Sequence, residues 1–353
     1  MTLTDQQIIA RVIDGMKLSR EQGCKLEIYN SPDQDGFANE FCFFPKPTVA
    51  EKLSAGDFHP ILELFLKTFK KFDLSVDEIH ALPAQYLQQY NIMDKHYGVL
   101  EGFARRPLKH LTDQIRHRFR EAYNVEMNSV DVLGGFEFID RYRDMSASAL
   151  DVVWSNVEHE RLASGCFCGK IKVGNEVTYV INGFTPRQLS TYTDNDIVIV
   201  VFKLSGNASW SYIRTNFLGK PDPAAAVPGS IRHELFANRN HFGLREVSLA
   251  RNGAHLSAGP IEALIELKRC LSNFANNNLR PIEAFQFGRK LISNFSPEEI
   301  AVILDNVTVE YEANKCSLYD LTEGMDESKT IELLSDLRVQ FKPFIKTKYV
   351  SRK

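Results

Sequence analysis

The segment 252–267, NGAHLSAGPIEALIEL, places His255 among residues that suit a nucleophile. Attack on a phosphoryl group needs a neutral imidazole whose second nitrogen is held, and a carboxylate orients the ring and stabilises the cationic product. Glu266 lies one to two turns into a helix predicted to begin near Pro260, a residue favoured at the first helical position. Ser257 is a candidate hydrogen-bond donor to a phosphate oxygen. The alternative is a structural histidine at a strand end, and the segment alone leaves both interpretations open.

Two cationic residues lie beside prolines, which stiffen the backbone. Lys46 follows an apolar strand in FFPKP, between two prolines, and Arg232 closes the loop 219–232, GKPDPAAAVPGSIR. Restrained cations suit phosphate binding because little side-chain entropy remains to be lost. The N-terminus of the helix after His255 also attracts anions. A plain surface charge is the alternative for each cation.

Common nucleotide and hydrolase motifs are absent from the sequence. It contains no GxxxxGK[ST], GxGxxG, HExxH or GxSxG, and no kinase HRD or DFG set. The net charge of −3 supplies no basic field for nucleic acid, so we expect no nucleic-acid partner. A nucleotide would therefore be bound by residues outside these motifs.

The elements that must position these residues alternate along the chain. Apolar periodicity predicts helices at 58–72 and after Pro260, and strands at 41–45, 76–82 and 197–204. A further strand is predicted in REVSLA, 245–250, leading toward His255. The alternation is βαββαβ between 40 and 270, which predicts an α+β protein with helices on an antiparallel sheet.

The remaining chain contains few functional signals. The start, MTLTDQQIIARVIDGMKL, predicts an amphipathic helix rather than a signal peptide, and no run approaches the ~18 apolar residues of a membrane helix. We therefore expect a cytoplasmic protein without membrane contact. Six cysteines indicate reduced thiols. For Cys166 and Cys168 the alternatives are structural thiols and a metal or redox pair. For the basic helix 107–125 they are a solvated face and nucleic-acid or membrane contact.

Several of these residues resemble the motifs of nucleoside diphosphate kinases. The family signature Asn-x-x-His-Gly-Ser-Asp is matched by NGAHLSA, and the family glutamate eleven residues after the histidine by Glu266. The family loop LGxTxPxxxxPGTIR is matched by LGKPDPAAAVPGSIR, 218–232, so Arg232 takes the place of the phosphate-binding arginine. The strand followed by KPD is matched by FFPKPT, which carries over Lys46.

The resemblance implies roles for further residues. Tyr97, in His96-Tyr97, would support the phosphate or the histidine, and Asn252 would contact the sugar. Arg214 lies near the second phosphate-binding arginine, one residue out of register. Phe184, or a neighbour in NGFTPRQL, would stack on the base.

The implied activity is a ping-pong phosphotransfer. His255 would take the γ-phosphate of ATP or another nucleoside triphosphate and pass it to a nucleoside diphosphate, with Mg²⁺ held mainly by the nucleotide phosphates. The implied fold is the ferredoxin-like βαββαβ core of this family, elaborated by an inserted subdomain and extra helices. The alternatives are a catalytically altered nucleotide-binding regulatory or interaction protein, and a phosphohistidine relay to a protein acceptor.

The matching segments also imply boundaries. Residues 1–38 form an N-terminal extension, 39–275 a core interrupted by an insertion at about 98–182, and 276–353 a C-terminal helical extension. Some homo-oligomer is expected. The family hexamer is not carried over, because the insertions would block or rebuild its interface.

Three departures bear on activity. Leu256 replaces the family glycine and is expected to narrow the space beside His255. Ala258 replaces the aspartate, and Pro221 replaces the loop threonine, which removes a hydroxyl and a backbone donor. Losing one such donor weakens nucleotide binding by ~1–3 kcal/mol.

Overall fold

The computed structural model describes residues 3–31, 36–54, 58–163, 165–193, 196–312 and 314–350, with the backbone alone for 52–54 and 347–350. Parts of the predicted extensions and insertion, residues 1–2, 32–35, 164 and 351–353, lie outside the described residues.

The strands are short to medium in length and are spread over the whole chain. They are β1 (Leu26–Asn30), β2 (Asn39–Pro45), β3 (Ser75–Pro83), β4 (Val132–Gly134), β5 (His159–Ala163), β6 (Cys166–Val173), β7 (Glu176–Ile181), β8 (Val198–Gly206), β9 (Ala254–Leu256), β10 (Thr308–Tyr311) and β11 (Asn314–Ser317).

Helices separate most of these strands and dominate the C-terminal third. They are α1 (Asp5–Gln22), α2 (Pro47–Ser54), α3 (His59–Lys71), α4 (Ala84–Gln89), α5 (Ile92–His96), α6 (Gly98–Arg105), α7 (Asp113–Tyr123), α8 (Gly135–Arg141), α9 (Ala147–Ser155), α10 (Thr185–Ser190), α11 (Trp210–Tyr212), α12 (Ile231–Ala237), α13 (Pro260–Leu271), α14 (Gln286–Asn294), α15 (Pro297–Leu304), α16 (Leu318–Thr322), α17 (Glu327–Asp336) and α18 (Lys342–Val350). A π-helical turn, Ile213–Leu218, continues α11.

The chain is an α+β protein that divides into two compact units. The first unit combines Met1–Tyr86 with Asn195–Lys353, and the second is Leu87–Asp194. The insertion predicted at about 98–182 falls inside the second unit. Both predicted extensions belong to the first unit.

The first unit is built on a sheet with the strand order β1-β3-β8-β2-β9, in which every neighbouring pair is antiparallel. Strand β2, which lies between β8 and β9, is buried along its whole length. Alternate residues of a strand point to opposite faces. Phe43 packs edge-on against Phe65 and Phe69 of α3, and Phe44 stacks on His255 from the other face.

The extensions cover this sheet. The apolar face of α1, which includes Ile9, Val12 and Met16, is buried, and α1 packs against β3 and α3. α13 packs against β2, and α14 and α16 pack against α13. β10 and β11 form a separate antiparallel hairpin.

The second unit has a sheet of order β4-β7-β6-β5, with β4 parallel to β7 and the other pairs antiparallel. Strands β6 and β7 form a hairpin that turns at Gly174. Cys166 and Cys168 lie in a core cluster with Phe119, and burial raises the pKa of each thiol to about 12. Metal or redox chemistry needs thiolates, so this burial favours structural thiols.

The basic segment 107–125 contains the helix α7. Ile115 and Phe119 form its buried face. On its exposed face Arg116 donates to Asn128 and Arg120 pairs with Glu126, so the segment behaves as a solvated helix face within its unit.

The strand predicted at 245–250 is wrong. Those residues form bends and a turn closed by the backbone bonds between Ser248 and Arg251, and the side chain of Arg251 pairs with Glu246. No helix among the described residues is long and apolar enough to cross a membrane.

Candidate functional site

His255 occupies the middle of the short strand β9 and is paired with Phe44 of β2. The two rings stack at a centroid distance of 4.4 Å and an interplanar angle of 25°. The imidazole side chain is 17% exposed. The ring is therefore fixed in plane by an aromatic neighbour and still has an edge that solvent reaches.

Glu266 orients the imidazole of His255 through hydrogen bonds. It lies on α13, and its carboxylate oxygens are 3.0 Å and 3.1 Å from His255 Nε2. An ionised carboxylate only accepts hydrogen bonds, so Nε2 carries the proton and donates it toward Glu266. The lone pair of the neutral ring is then on Nδ1.

The surroundings keep this imidazole neutral. Burial is the largest cause that lowers the pKa of His255 well below its ordinary value, and the charges of Lys46 and Arg232 lower it further. Arg214 acts in the same direction. A neutral imidazole with a lone pair on Nδ1 is the nucleophilic form.

Lys46 stands at the point where β2 passes into α2. Its amide donates to Gly253 O at 2.9 Å, and its carbonyl accepts the first hydrogen bonds of α2, from Val49 and Ala50. Burial and the neighbouring charge of Arg232 lower the pKa of Lys46 to about 7. The ammonium has no carboxylate partner among the residues that the structure describes.

Arg232 begins α12 and is buried. It donates through Nη1 to Gly219 O at 3.0 Å and through Nη2 to Ala254 O at 3.2 Å. Gly219 has a φ of 93°, and a Cβ there would lie 2.5 Å from Ser230 Oγ, so glycine is required. The proline-rich loop thus fixes the guanidinium beside the strand residue that precedes His255.

Arg214 comes from the π-helical turn Ile213–Leu218. It donates through Nη1 to Ser257 O at 3.3 Å and pairs through Nη2 with Glu323 Oε1 at 2.7 Å. The segment that carries Glu323 belongs to the C-terminal extension.

Asn252 is buried directly before the left-handed Gly253. Its Oδ1 atom has no hydrogen-bond partner within the described part of the chain. A buried acceptor left without a donor costs about 1–3 kcal/mol, which makes this oxygen a candidate contact for a ligand hydroxyl.

Ser257 is placed differently from the prediction. It is fully buried, and its Oγ accepts the backbone N–H of Cys42 at 3.1 Å. Its own N–H donates to Cys42 O at 3.0 Å. The hydroxyl therefore continues the β2–β9 ladder, and the predicted donation to a phosphate oxygen is not supported by its position.

The departures from the family motif also have specific positions. Leu256 is paired with Phe43 and points to the sheet face opposite His255, so the expected narrowing beside the histidine is wrong. Ala258 O accepts the N–H of Gly324 at 2.8 Å, so the C-terminal extension packs where the family has its aspartate. Pro221 is exposed at the start of its loop.

Tyr97 and Phe184 belong to the second unit. Tyr97 and Tyr192 are joined by a hydrogen bond of 2.8 Å between their hydroxyl oxygens. The ring of Phe184 lies 6.0 Å from Trp154 and 6.0 Å from Phe167, measured between centroids, and contributes to a core cluster of that unit.

The sequence reasoning missed two acidic residues near the candidate site. Burial and the charge of Glu266 raise the pKa of Glu262 to about 8, so this side chain is a neutral acid at neutral pH. Its position one turn before Glu266 was a readable signal. No pattern in the sequence indicated Glu323, because only the tertiary fold brings it to Arg214.

One group with metal-ligand chemistry lies elsewhere in the first unit. Ligand atoms of Glu27, Glu78 and His80 lie within 4.8 Å of one another. Arg280 Nη2 already pairs with Glu78 at 2.8 Å and with Glu27 at 3.5 Å. The guanidinium of Arg280 thus supplies positive charge to these carboxylates, as a metal ion would.

No protein-family model matches the chain, and a search of curated proteins finds no match.

Proposed function

We propose that this protein is a nucleoside diphosphate kinase-like phosphotransferase, with His255 as the residue that carries the phosphoryl group. The observation that carries the proposal is the bond between His255 Nε2 and both oxygens of Glu266, beside three cations that lower the pKa of the ring. This arrangement provides a nucleophile and positive charge for the group it attacks.

The reaction would proceed in two balanced halves. The Nδ1 lone pair attacks the γ-phosphorus, the bond from that phosphorus to the bridging oxygen breaks, and the nucleoside diphosphate leaves with the electron pair. The proton on Nε2 stays hydrogen-bonded to Glu266, which offsets the positive charge of the phosphorylated ring. A second nucleoside diphosphate then takes the phosphoryl group by the reverse step.

The cations would share the charge of the transferring phosphates. Lys46 and Arg232 lie close enough for Arg232 to lower the pKa of Lys46, so a phosphate bound by both would relieve their repulsion. Arg214 would bind a further phosphate oxygen. The Oδ1 atom of Asn252 would accept a hydrogen bond from a sugar hydroxyl.

The proposal includes the ferredoxin-like core of this family. In support, β2, α3, β3, β8, α12 and β9 follow in that sequence along the chain, and their strands lie in the order β3-β8-β2-β9 with antiparallel neighbours. A βαββαβ core has the same arrangement. The second unit would be the inserted subdomain, and α14 to α18 the extra helices.

The partners proposed are nucleoside di- and triphosphates, with Mg²⁺ entering on the nucleotide phosphates, and the proposed location is the cytoplasm. The roles of Tyr97 beside the phosphate and of Phe184 beside the base stay predictions of the resemblance.

The experiment is incubation of the full chain with γ-labelled ATP and Mg²⁺. We expect an acid-labile, alkali-stable label that is lost in His255→Ala, is kept in His80→Ala, and is removed by adding a nucleoside diphosphate. Label that only a protein acceptor removes would replace the proposal with a relay. Nucleotide binding without any label would contradict it and leave a regulatory or interaction protein.

A further inference from the structure

The C-terminal extension packs directly on the loop that joins His255 to α13. Gly324 N donates to Ala258 O at 2.8 Å. Gly259 makes this approach possible, because a Cβ at that position would lie 2.6 Å from Thr322 O. Leu318 and Thr322 of α16 are buried. The backbone around residue 323 is therefore fixed against the candidate site.

A second anchor follows a few residues later. The side chain of Asp326 accepts the N–H of Trp210 at 2.6 Å, where the chain enters the helical turn that carries Arg214. Glu327 is fully buried, accepts the N–H of Glu40 at 2.9 Å and pairs with Lys290 at 2.7 Å. Glu323 is held between these anchors by backbone position, not by its own side chain.

The Glu323 carboxylate itself is half exposed and has one partner in the described residues, Arg214 Nη2 at 2.7 Å. Arg214 is also bound to the carbonyl of Ser257, two residues after His255. The Nη2 group is thus directed to a carboxylate, and a phosphate oxygen makes the same charge-assisted bond with shared geometry.

We infer that Glu323 is an internal competitor for the polyphosphate that Arg214 would bind, so that ligand binding exchanges a carboxylate of the chain for a phosphate oxygen. The inference rests on the proposed anion site but not on the transfer reaction. Because the backbone is anchored on both sides of Glu323, the exchange needs only rotation of an exposed side chain. Glu323 thus lowers the affinity of the site for polyphosphate but does not close the site.

The test is calorimetric titration of the full chain with inorganic tripolyphosphate. We expect Glu323→Gln to tighten binding roughly three- to tenfold, since an exposed ion pair and one like-charge repulsion are removed. The gain should vanish in an Arg214→Met background. Glu310→Gln, which removes an exposed, ion-paired carboxylate on β10, is the control and should change nothing.

The outcomes separate the two proposals. Unchanged or weaker binding in Glu323→Gln would overturn the inference and make Glu323 a positioning partner of Arg214, even if His255 is phosphorylated. Tighter binding without any label on His255 would support the inference while the transfer reaction fails. Absence of tripolyphosphate binding in every variant would overturn the inference.

Discussion

Two histidines on the sheet of the first unit are each paired with a glutamate at the same distance. His255 Nε2 is 3.0 Å from Glu266 Oε2, and His80 Nε2 is 3.0 Å from Glu78 Oε2. Burial lowers the pKa of both histidines. The pair itself therefore does not identify a nucleophile.

The surroundings distinguish them. His80 is 1% exposed, and its Glu78 is shared with Arg280. Around that pair, Glu27 and Glu78 are balanced by Arg280 and Lys25. His255 keeps an exposed edge and lies beside Lys46, whose charge no described carboxylate neutralises. Access and excess positive charge, rather than the pairing with a glutamate, therefore distinguish His255 as the candidate for phosphate chemistry.

Removing each imidazole is the strongest test of the comparison. His255→Ala should lower phosphotransfer from ATP by at least about a thousandfold, because the nucleophile is lost. His80→Ala should leave the rate within a few-fold and lower the melting temperature, because it creates a cavity in the core. The measurements are the phosphotransfer rate and the melting temperature of both variants. Similar phosphotransfer rates for His255→Ala and His80→Ala would contradict the assignment of His255 as the nucleophile.

Removing each carboxylate charge should have a smaller effect. Hydrogen bonds to charged groups contribute about 1.5–3 kcal/mol, so Glu266→Gln should slow phosphorylation of His255 roughly ten- to a hundredfold. Glu78→Gln should leave the rate unchanged and reduce the free energy of unfolding by about 1–3 kcal/mol, because Arg280 loses a buried partner. Single-turnover labelling and urea unfolding measure the two effects; a slow Glu78→Gln enzyme would contradict them.

The lysines near each pair predict a pH effect. Lys46 has a pKa of about 7, so it is charged below that pH and neutral above it. Tripolyphosphate affinity should therefore fall as pH rises from 6 to 9, about tenfold more in the wild type than in Lys46→Met. The ligand's own titration is common to both proteins and cancels. Lys25→Met, at the lysine with a pKa of about 8 near His80, should retain the wild-type profile.

The smallest expected change is in the histidine pKa values. Lys46 lowers the pKa of His255 and Lys25 lowers that of His80. Lys46→Met should raise the pKa of His255, and Lys25→Met should raise that of His80, because each removes a positive charge beside the ring. Titration of the ring resonances by NMR measures both, and a change at the wrong histidine would show that the two charge environments are coupled.

Much of the candidate site was readable in the sequence because its signals are local. The start of α13 at Pro260, the strand before Lys46 and the eleven-residue spacing to Glu266 depend on neighbours along the chain. The antiparallel α+β class followed from the alternation of helices and strands.

One error is local, and the features that the sequence did not reveal depend on contacts between residues distant along the chain. The apolar pattern at 245–250 resembled a strand, but a local ion pair and turn form there instead. The Ser257 hydroxyl accepts the N–H of Cys42 on β2, 215 residues away, and its sequence neighbours do not indicate this contact. Glu323 lies 109 residues after Arg214, so no local pattern connects them.

That separation has a consequence for synthesis. A chain grows at ~5–20 residues per second, so Arg214 exists for about 5–20 s before Glu323 is added. While residues 256–322 are added, the nascent protein contains Lys46, Arg214, Arg232 and His255, but not the carboxylate that pairs with Arg214. The growing chain should therefore attract polyphosphates more strongly than the finished one, and a nucleotide bound at the proposed site would act as a folding ligand before the chain is complete.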